Sequence, residues 1–562
     1  MLLWVAKLLI ETIEQALLSS AAPDVGRLAI LLLLEFAVAF AGEALGKLAG
    51  LLDGLLVEAV STELSVKVMA HAATLDLAQL EDHQTYNQLE RAREEVAARV
   101  AGAMKLIDTA QAALSLGLMI AALVAYLPWL LLLLAVSVLP SFFGALSQAE
   151  AAYALVVRWT PRRRRLNYLR WLATNADTAK EVKLLGLAPL LIERYEREAR
   201  QSLSEHRVQA IAKTGSSIGF GAIGAAGYYG ALAIIVYLTV SGYVAAAGPF
   251  TIGVLTFLAA SFRESRGLIQ RLLLSLAGIY EESRLVADLF SFLELRPVMR
   301  VATNGPVVAR SMRQGLVLER VGFCYPGSTS WVLRGVDLAI QPGERVAIVG
   351  ENGAGKTTLV KLLTRLYDPN EGRVLLDGRD LRDYDLADLR SRVAVSFQDH
   401  ARLAFTVGEN IGVGAVKHLE DVRRIRCAAE KGLAWPIVER LPRGLDQQLG
   451  RQFEEGVDLS GGEWQKVALS RSYMRDAAVL VLDEPTAALD PRAESHVFQR
   501  VVRATGAQIV VVISHRFSTV RAADRIVVLG RGTVLENGSH DKLVAQGGTY
   551  AELYELQASA YR

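Results

Sequence analysis

The sequence predicts two architectures in series: an all-α polytopic membrane bundle over residues 1–297, then an α/β domain built around a phosphate-binding loop over 315–562. Three observations carry this. Residues 110–149 and 214–262 contain no Asp, Glu, Lys or Arg. Short apolar strands alternate with helical stretches after residue 315. A glycine-rich loop, Gly350 to Thr358, stands directly between one such strand and one such helix.

The composition is consistent with that division. Hydrophobic residues make up 52% of the 562 residues and charged residues 21%, with a mean hydropathy of +0.28, which is too apolar for a disordered chain. The net charge of +2 excludes a wholesale polyanion binder. Two cysteines, Cys324 and Cys427, exclude a disulfide scaffold and fit a reducing compartment.

A membrane helix needs about 20 apolar residues, so each uncharged block accommodates two spans with a turn between them. The turns fall at Leu127-Pro128 and across Ser241 to Pro249. The expected spans lie near 25–60, 106–127, 128–149, 215–241 and 247–275. Residues 151–213 carry thirteen Lys or Arg, Arg162 to Arg165 among them, whereas the hairpin tips carry none. Positive residues remain cytoplasmic, so the tips face outward and the basic cluster lies beside anionic lipid rather than nucleic acid. Parity then requires 25–60 to run inward. Residues 1–20 are expected to be a partial span, the outer end of a truncated first helix whose front belongs to a longer natural chain or another start site. A signal peptide does not fit, because Glu11 and Glu14 interrupt the apolar run. The stretches 79–98 and 177–201 read as long cytoplasmic helices. Glu35 is an ionisable group within a span, either facing the cargo path, where it would favour cationic or amphipathic cargo, or bonding a neighbouring helix.

A linker over 298–314 leads to the α/β domain, with strands expected near 316–318, 345–350, 374–376, 393–397, 479–483 and 508–514. In the loop Gly350, Glu351, Asn352, Gly353, Ala354, Gly355, Lys356, Thr357 and Thr358, glycines allow the backbone to wrap phosphates and the helix N-terminus supplies N–H donors. Lys356 is expected on the β- and γ-phosphates and the Thr357 hydroxyl on Mg²⁺. The strand Val479 to Leu482 ends in Asp483 and Glu484. Side chains alternate along a strand, so Asp483 is expected to hold Mg²⁺ and Glu484 to orient and deprotonate the attacking water. Ser460, Gly461 and Gly462 open a further helix and form a second anion site.

With these motifs in place, the chain resembles an ATP-binding cassette (ABC) exporter, membrane and ATPase domains fused in one half-transporter. Six motifs stand in family order: 350–358, Gln398, Leu459 to Gln465, Val479 to Glu484, Ala487 to Asp490, and His515. The resemblance implies that Tyr325 stacks on adenine, that Gln398 contacts Mg²⁺ and the attacking water, and that His515 holds the γ-phosphate and Glu484. It implies that Ser460, Gly461, Gly462 and Asp490 act across a dimer on ATP held by the partner. Coupling helices near 79–88 and 175–184 would dock on the cassettes, one of them on the partner's, with Glu81, Tyr86, Asp177 and Glu181 as polar contacts. Glu463 stands where Gln is commoner in the signature, Ala487-Ala488 where Ser-Ala is frequent, and Phe453 to Gly456 departs from the exporter pattern. The expected function is ATP-driven export or flipping of a hydrophobic or amphipathic cargo (lipid, peptide or drug-like) in the plasma (inner) membrane, the ATPase domain cytoplasmic, with ATP and Mg²⁺ as cofactors. The partner is a second half-transporter, a homodimer favoured over a heterodimer, with no nucleic acid. A membrane-anchored ATPase acting as a sensor is the alternative.

Overall fold

The computed structural model describes residues 2–19, 25–94, 96–138, 162–242, 244–245, 248–302, 305–309, 312–485 and 508–560. They form two compact units, one of residues 1–74 and 83–295, the other of 75–82 and 296–562.

The first unit is helical: α1 (Leu2–Ser19), α2 (Val25–Ala72), then α4 (His83–Glu94), α5 (Val96–Tyr126), α6 (Ala179–Leu184), α7 (Ala188–Val240) and α8 (Ile252–Leu293). Among the described residues three helical segments are long and apolar enough to cross a membrane: α2, residues 106–126 of α5, and α7. At 1.5 Å per residue α2 and α7 are about 70–80 Å long, well beyond a hydrocarbon core of about 30 Å. α2 leaves Leu33, Phe36, Phe40 and Leu52 exposed, a surface suited to hydrocarbon. α8, where a span is expected over 247–275, carries Arg263, Glu264, Arg266 and Arg271.

The charges of α1 have local partners. Lys7 Nζ donates to the Tyr126 hydroxyl at 2.8 Å, the Thr251 hydroxyl donates to Glu11 at 3.0 Å, and Ile252 N donates to Glu14 at 3.1 Å. Glu14 therefore sits at the N-terminus of α8, where the helix dipole favours an anion. In the basic cluster, Arg162 pairs with Glu205 at 2.8 Å and Arg165 with Glu198 at 2.9 Å, so at least two of its four guanidinium groups bond to α7.

The helix expected over 79–98 is broken. Asp76 and Gln79 form a capping box at the start of α3 (Leu77–Glu81), and Asp82 is extended at φ −75°, ψ 130°, which ends α3 before α4 begins. α3 belongs to the second unit.

The second unit holds two sheets. Strands β1 (Leu316–Phe323), β2 (Leu333–Ile340), β4 (Glu371–Leu376) and β5 (Arg379–Asp380) form an antiparallel sheet in the order β2-β1-β4-β5. Strands β3 (Arg345–Val349), β6 (Val393–Ser396), β7 (Val479–Asp483), β8 (Ile509–Ile513), β9 (Arg525–Gly530) and β10 (Thr533–Gly538) form a six-stranded sheet in the order β10-β9-β3-β8-β7-β6, parallel except at β9/β10. β7 and β8 are buried along their whole length, as apolar runs in a parallel sheet covered on both faces require. Ile513 pairs with both Ile348 and Asp483, so the carboxyl ends of β3, β8 and β7 come level. That edge is where open parallel sheets bind ligands.

Candidate functional site

The loop after β3 turns on Gly350, Gly353 and Gly355, at φ 155°, 83° and 98°. A Cβ at position 350 would meet Leu529 O at 2.1 Å, and one at 355 would meet Leu333 Cδ2 at 2.6 Å, so two of these positions exclude a side chain by contact as well as by conformation. The loop enters α9 (Lys356–Leu363). Lys356 Nζ donates to Gly350 O at 2.7 Å and to Glu351 O at 2.8 Å, which folds the loop around its ammonium. Burial lowers its pKa against the opposing pull of Glu484 and Asp483.

Asp483 ends β7 almost without solvent contact. Burial, with repulsion from Glu484 and Asp399, raises its pKa to about 6, against the attraction of Lys356 and a hydrogen bond with Thr357. Its Oδ2 has no hydrogen-bond partner. An orphaned carboxylate oxygen beside a threonine hydroxyl is a hard-oxygen donor set that fits Mg²⁺, an ion that takes one or two protein oxygens and completes its shell with water and phosphate. Among the described residues no group of three or more His, Cys, Asp or Glu could hold a metal.

Glu484, one residue on, leaves the strand at φ 45°, a left-handed conformation uncommon outside glycine. Its backbone is pinned from two sides: Glu484 N donates to Ile513 O at 2.9 Å, and Gln465 Nε2 donates to Glu484 O at 2.7 Å. Gln398 Nε2 donates to its Oε2 at 2.8 Å, and His515 Nε2 lies 3.2 Å from its Oε1. Burial and Lys356 lower the His515 pKa although Glu484 opposes them. Gln398, Glu484 and His515 are thus brought together at the carboxyl edge of the sheet, beside Asp483.

Tyr325 follows β1. Its ring meets Phe323 edge-on at 5.0 Å and Tyr367 at 5.6 Å, and its hydroxyl lies 3.0 Å from Thr358 Oγ1. Ser460 caps α10 (Gly461–Tyr473). Its backbone N and hydroxyl both donate to Glu463, at 2.8 and 2.9 Å, and Arg440 pairs with the same carboxylate. Burial would raise the Glu463 pKa, but the Ser460 and Arg440 bonds outweigh it and hold the group ionised. Ser460 and Gly461 are exposed, with open space around the Gly461 Cα. Asp490 and Ala487-Ala488-Leu489 lie outside the described residues.

The roles of three side chains near the site, Gln465, Lys361 and Tyr367, are not legible in the sequence. Gln465 lies within the signature motif, but nothing in the motif states that its amide reaches a carbonyl nineteen residues on. Glu81 was expected as a docking contact, yet its receivers, Lys361 and Tyr367, carry no motif. Tyr86, Asp177 and Glu181 belong to the first unit.

A phosphate loop, a buried metal-type carboxylate and a carboxylate poised by Gln398 and His515 define a nucleoside triphosphatase domain, carried on the same chain as a bundle of membrane-length helices. Comparison with known proteins specifies it further. Residues 333–487 match the family model described as ABC transporter. The subtilin transport ATP-binding protein SpaT of Bacillus subtilis is 29% identical over 526 residues, covering 92% of this chain and 84% of that protein. The ATP-dependent lipid A-core flippase of Chromohalobacter salexigens is 41% identical over 271 residues, 48% of this chain and 45% of that protein, and the flippase of Alcanivorax borkumensis is 37% identical over 301 residues, 53% and 51%. The structure of a bacterial Atm1-family ABC exporter with ATP bound superposes with a TM-score of 0.84 and 25% identity, covering 99% of this chain and 96% of that one. Residues 333–487 thus form an ABC transporter ATPase domain, and the chain as a whole is similar to ABC transporters of exporter type. It is an integral membrane protein with membrane helices fused to an ATP-binding ATPase domain that powers export.

Proposed function

We propose that two copies of this chain form a homodimeric exporter that moves a hydrophobic or amphipathic molecule across the plasma (inner) membrane, with the ATPase domains cytoplasmic. The membrane domain is assigned to 1–297, the linker to 298–314 and the ATPase domain to 315–562. The lipid, peptide or drug-like cargo is supported by the apolar character of the helices and by the similar proteins, a lipid A-core flippase and a subtilin transport protein.

Each residue then has a task. Gly350 to Thr358 wrap the phosphates, Lys356 neutralises them, and Tyr325 stacks on the adenine. Mg²⁺, held by Thr357, Asp483 and Gln398, would neutralise phosphate charge as the γ-phosphoryl departs. Glu484 accepts a proton from the attacking water, and Gln398 and His515 hold its carboxylate in place. Ser460 and Gly461, exposed at the start of α10, and Gly462 beside them close on the ATP of the partner subunit, with Asp490 reaching across. Hydrolysis breaks that link and lets the cassettes part, which alternates the access of the bundle.

The observation that carries this reading is the Glu484 carboxylate held between Gln398 and His515. The test is Glu484→Gln in the purified, reconstituted protein. Retained ATP binding, loss of turnover and ATP-stabilised pairing of cassettes are expected. Unimpaired hydrolysis would remove the assigned base, and failure of wild-type vesicles to move any of a panel of lipids, peptides and drug-like molecules on ATP addition would refute export of such cargo.

A further inference from the structure

Glu81 sits at the end of α3, a five-residue helix from the segment between α2 and α4, inside the ATPase unit. Asp76 anchors that segment by accepting from Val298 N at 2.6 Å and Met299 N at 2.7 Å. Leu77 and Ala78 pack on the apolar core between the two sheets. The Glu81 carboxylate then makes two bonds: it accepts from the Tyr367 hydroxyl at 2.5 Å and from Lys361 Nζ at 3.1 Å.

Both receivers lead to the nucleotide loop. Lys361 lies on α9, whose first turn carries Lys356, Thr357 and Thr358. Its ammonium stands 5.3 Å from the centre of the Tyr325 ring and 5.4 Å from that of Tyr367, within cation–π range of both. Tyr367 packs edge-on against Tyr325 and against Phe323, at 5.6 and 5.3 Å. Its chain position is set by the end of α9, where Lys361 O accepts from Leu366 N at 2.8 Å after Arg365 turns left-handed at φ 49°. Tyr325 in turn touches Thr358 through its hydroxyl. An unbroken series of contacts therefore joins Glu81 to the phosphate loop through the ring assigned to adenine.

Burial acts to raise the Glu81 pKa, yet the bonds from Tyr367 and Lys361 prevail and lower it, so the carboxylate is charged at neutral pH. Burial and Glu81 raise the Tyr367 pKa, so that hydroxyl remains a donor.

We propose that Glu81, acting through Tyr367 and Lys361, is a positioning residue for the Tyr325 ring, so that docking of α3 sets the affinity of this site for the purine base of its nucleotide. The idea rests on the adenine-stacking role of Tyr325. It makes α3 sensitive to whether a base is bound, and by reciprocity makes base binding tighten the seat of α3. A bond that served only to hold α3 would affect folding and phosphate binding as much as base binding.

The experiment uses the full chain in lipid nanodiscs and two probes, ATP and inorganic tripolyphosphate, which has the phosphates but no base. Glu81→Gln and Tyr367→Phe are each expected to weaken ATP binding about three- to tenfold, with tripolyphosphate affinity moving less than twofold. The ATP KM should rise by a larger factor than kcat falls. The double variant should be no weaker than the worse single one, since both remove the same bond. Equal losses for ATP and tripolyphosphate, or additive losses in the double variant, would overturn the proposal. If Glu81→Gln fails to fold, Tyr367→Phe, which removes one oxygen, carries the test alone. Tyr325→Ala separates the two ideas. Should it leave ATP binding intact, the stacking role fails; should it weaken ATP while Glu81→Gln and Tyr367→Phe do not, stacking stands and the positioning role falls.

Discussion

Asp483 gives the sharpest quantitative test. In the folded, nucleotide-free ATPase domain its carboxyl titrates at about 6, against an ordinary value of 3.8, because it is buried and faces Glu484 and Asp399. Between those two pH values the folded state binds the proton that the unfolded state has released. Stability therefore falls as pH rises through this window, since the slope follows the difference in protons bound. The penalty is absent below about pH 4 and complete above about pH 7, and at 1.36 kcal/mol per pH unit it amounts to about 3 kcal/mol. Asp483→Asn keeps the shape and removes the charge. At pH 8, without Mg²⁺ or nucleotide, the variant should melt about 6 °C or more above the wild type, at about 2–4 °C per kcal/mol for a domain of this size. At pH 4.5 the gap should close to a third or less. The assay is a thermal-melt series on the full chain in detergent from pH 4.5 to 8, with ATPase activity measured in parallel and expected to be lost. A gap that does not widen with pH, or a variant less stable than the wild type at pH 8, would refute the view that Asp483 is held at an energetic cost for a cation to relieve.

Further outcomes follow from other contacts. Gln465→Leu removes the amide that holds Glu484 O, so kcat for ATP should fall about 10-fold or more with little change in ATP affinity, measured by steady-state kinetics and nucleotide titration. Gly355→Ala, with φ 98° and Leu333 Cδ2 at 2.6 Å from the new Cβ, should abolish ATP binding in a filter or fluorescence assay. Arg471 is half-buried and bonds Asn410 O at 2.7 Å, Asn410 Oδ1 at 2.6 Å and Ala401 O at 2.6 Å, so Arg471→Met should destabilise the domain by about 2–3 kcal/mol in denaturant melts. Glu463→Gln takes a negative charge away from the Ser460 anion site, so the ATP concentration for half-maximal hydrolysis should drop, most clearly at low salt.

The departures from expectation have a common cause. Residues 79–98 are polar and rich in helix formers, so periodicity joins them into one helix; the break at Asp82 arises because α3 docks on the ATPase unit through Asp76, Leu77 and Glu81, and those receivers lie more than two hundred residues away. The basic run at Arg162 to Arg165 is expected beside anionic lipid from the sequence, and nothing in that local run announces that Glu198 and Glu205 of α7 pair with two of its members. Glu463 reads as a departure from a motif, and the fold makes it the partner of Ser460 and Arg440.

By itself the sequence determined the division into an apolar helical half and an α/β half, the phosphate loop, and the strand that ends in two carboxylates. These features are written in local geometry: span length, glycine at left-handed positions and the pleat of a strand constrain residues close together in the chain. Only the tertiary structure decided that Asp483 is buried with one oxygen unpaired, and that Glu484 turns left-handed between Gln398 and His515 with Gln465 behind it. It alone placed Glu81 against Lys361 and Tyr367. Those arrangements depend on the register of parallel strands and the seating of one segment on a distant core, and no short-range period in a chain encodes which remote residues a fold brings within 3 Å.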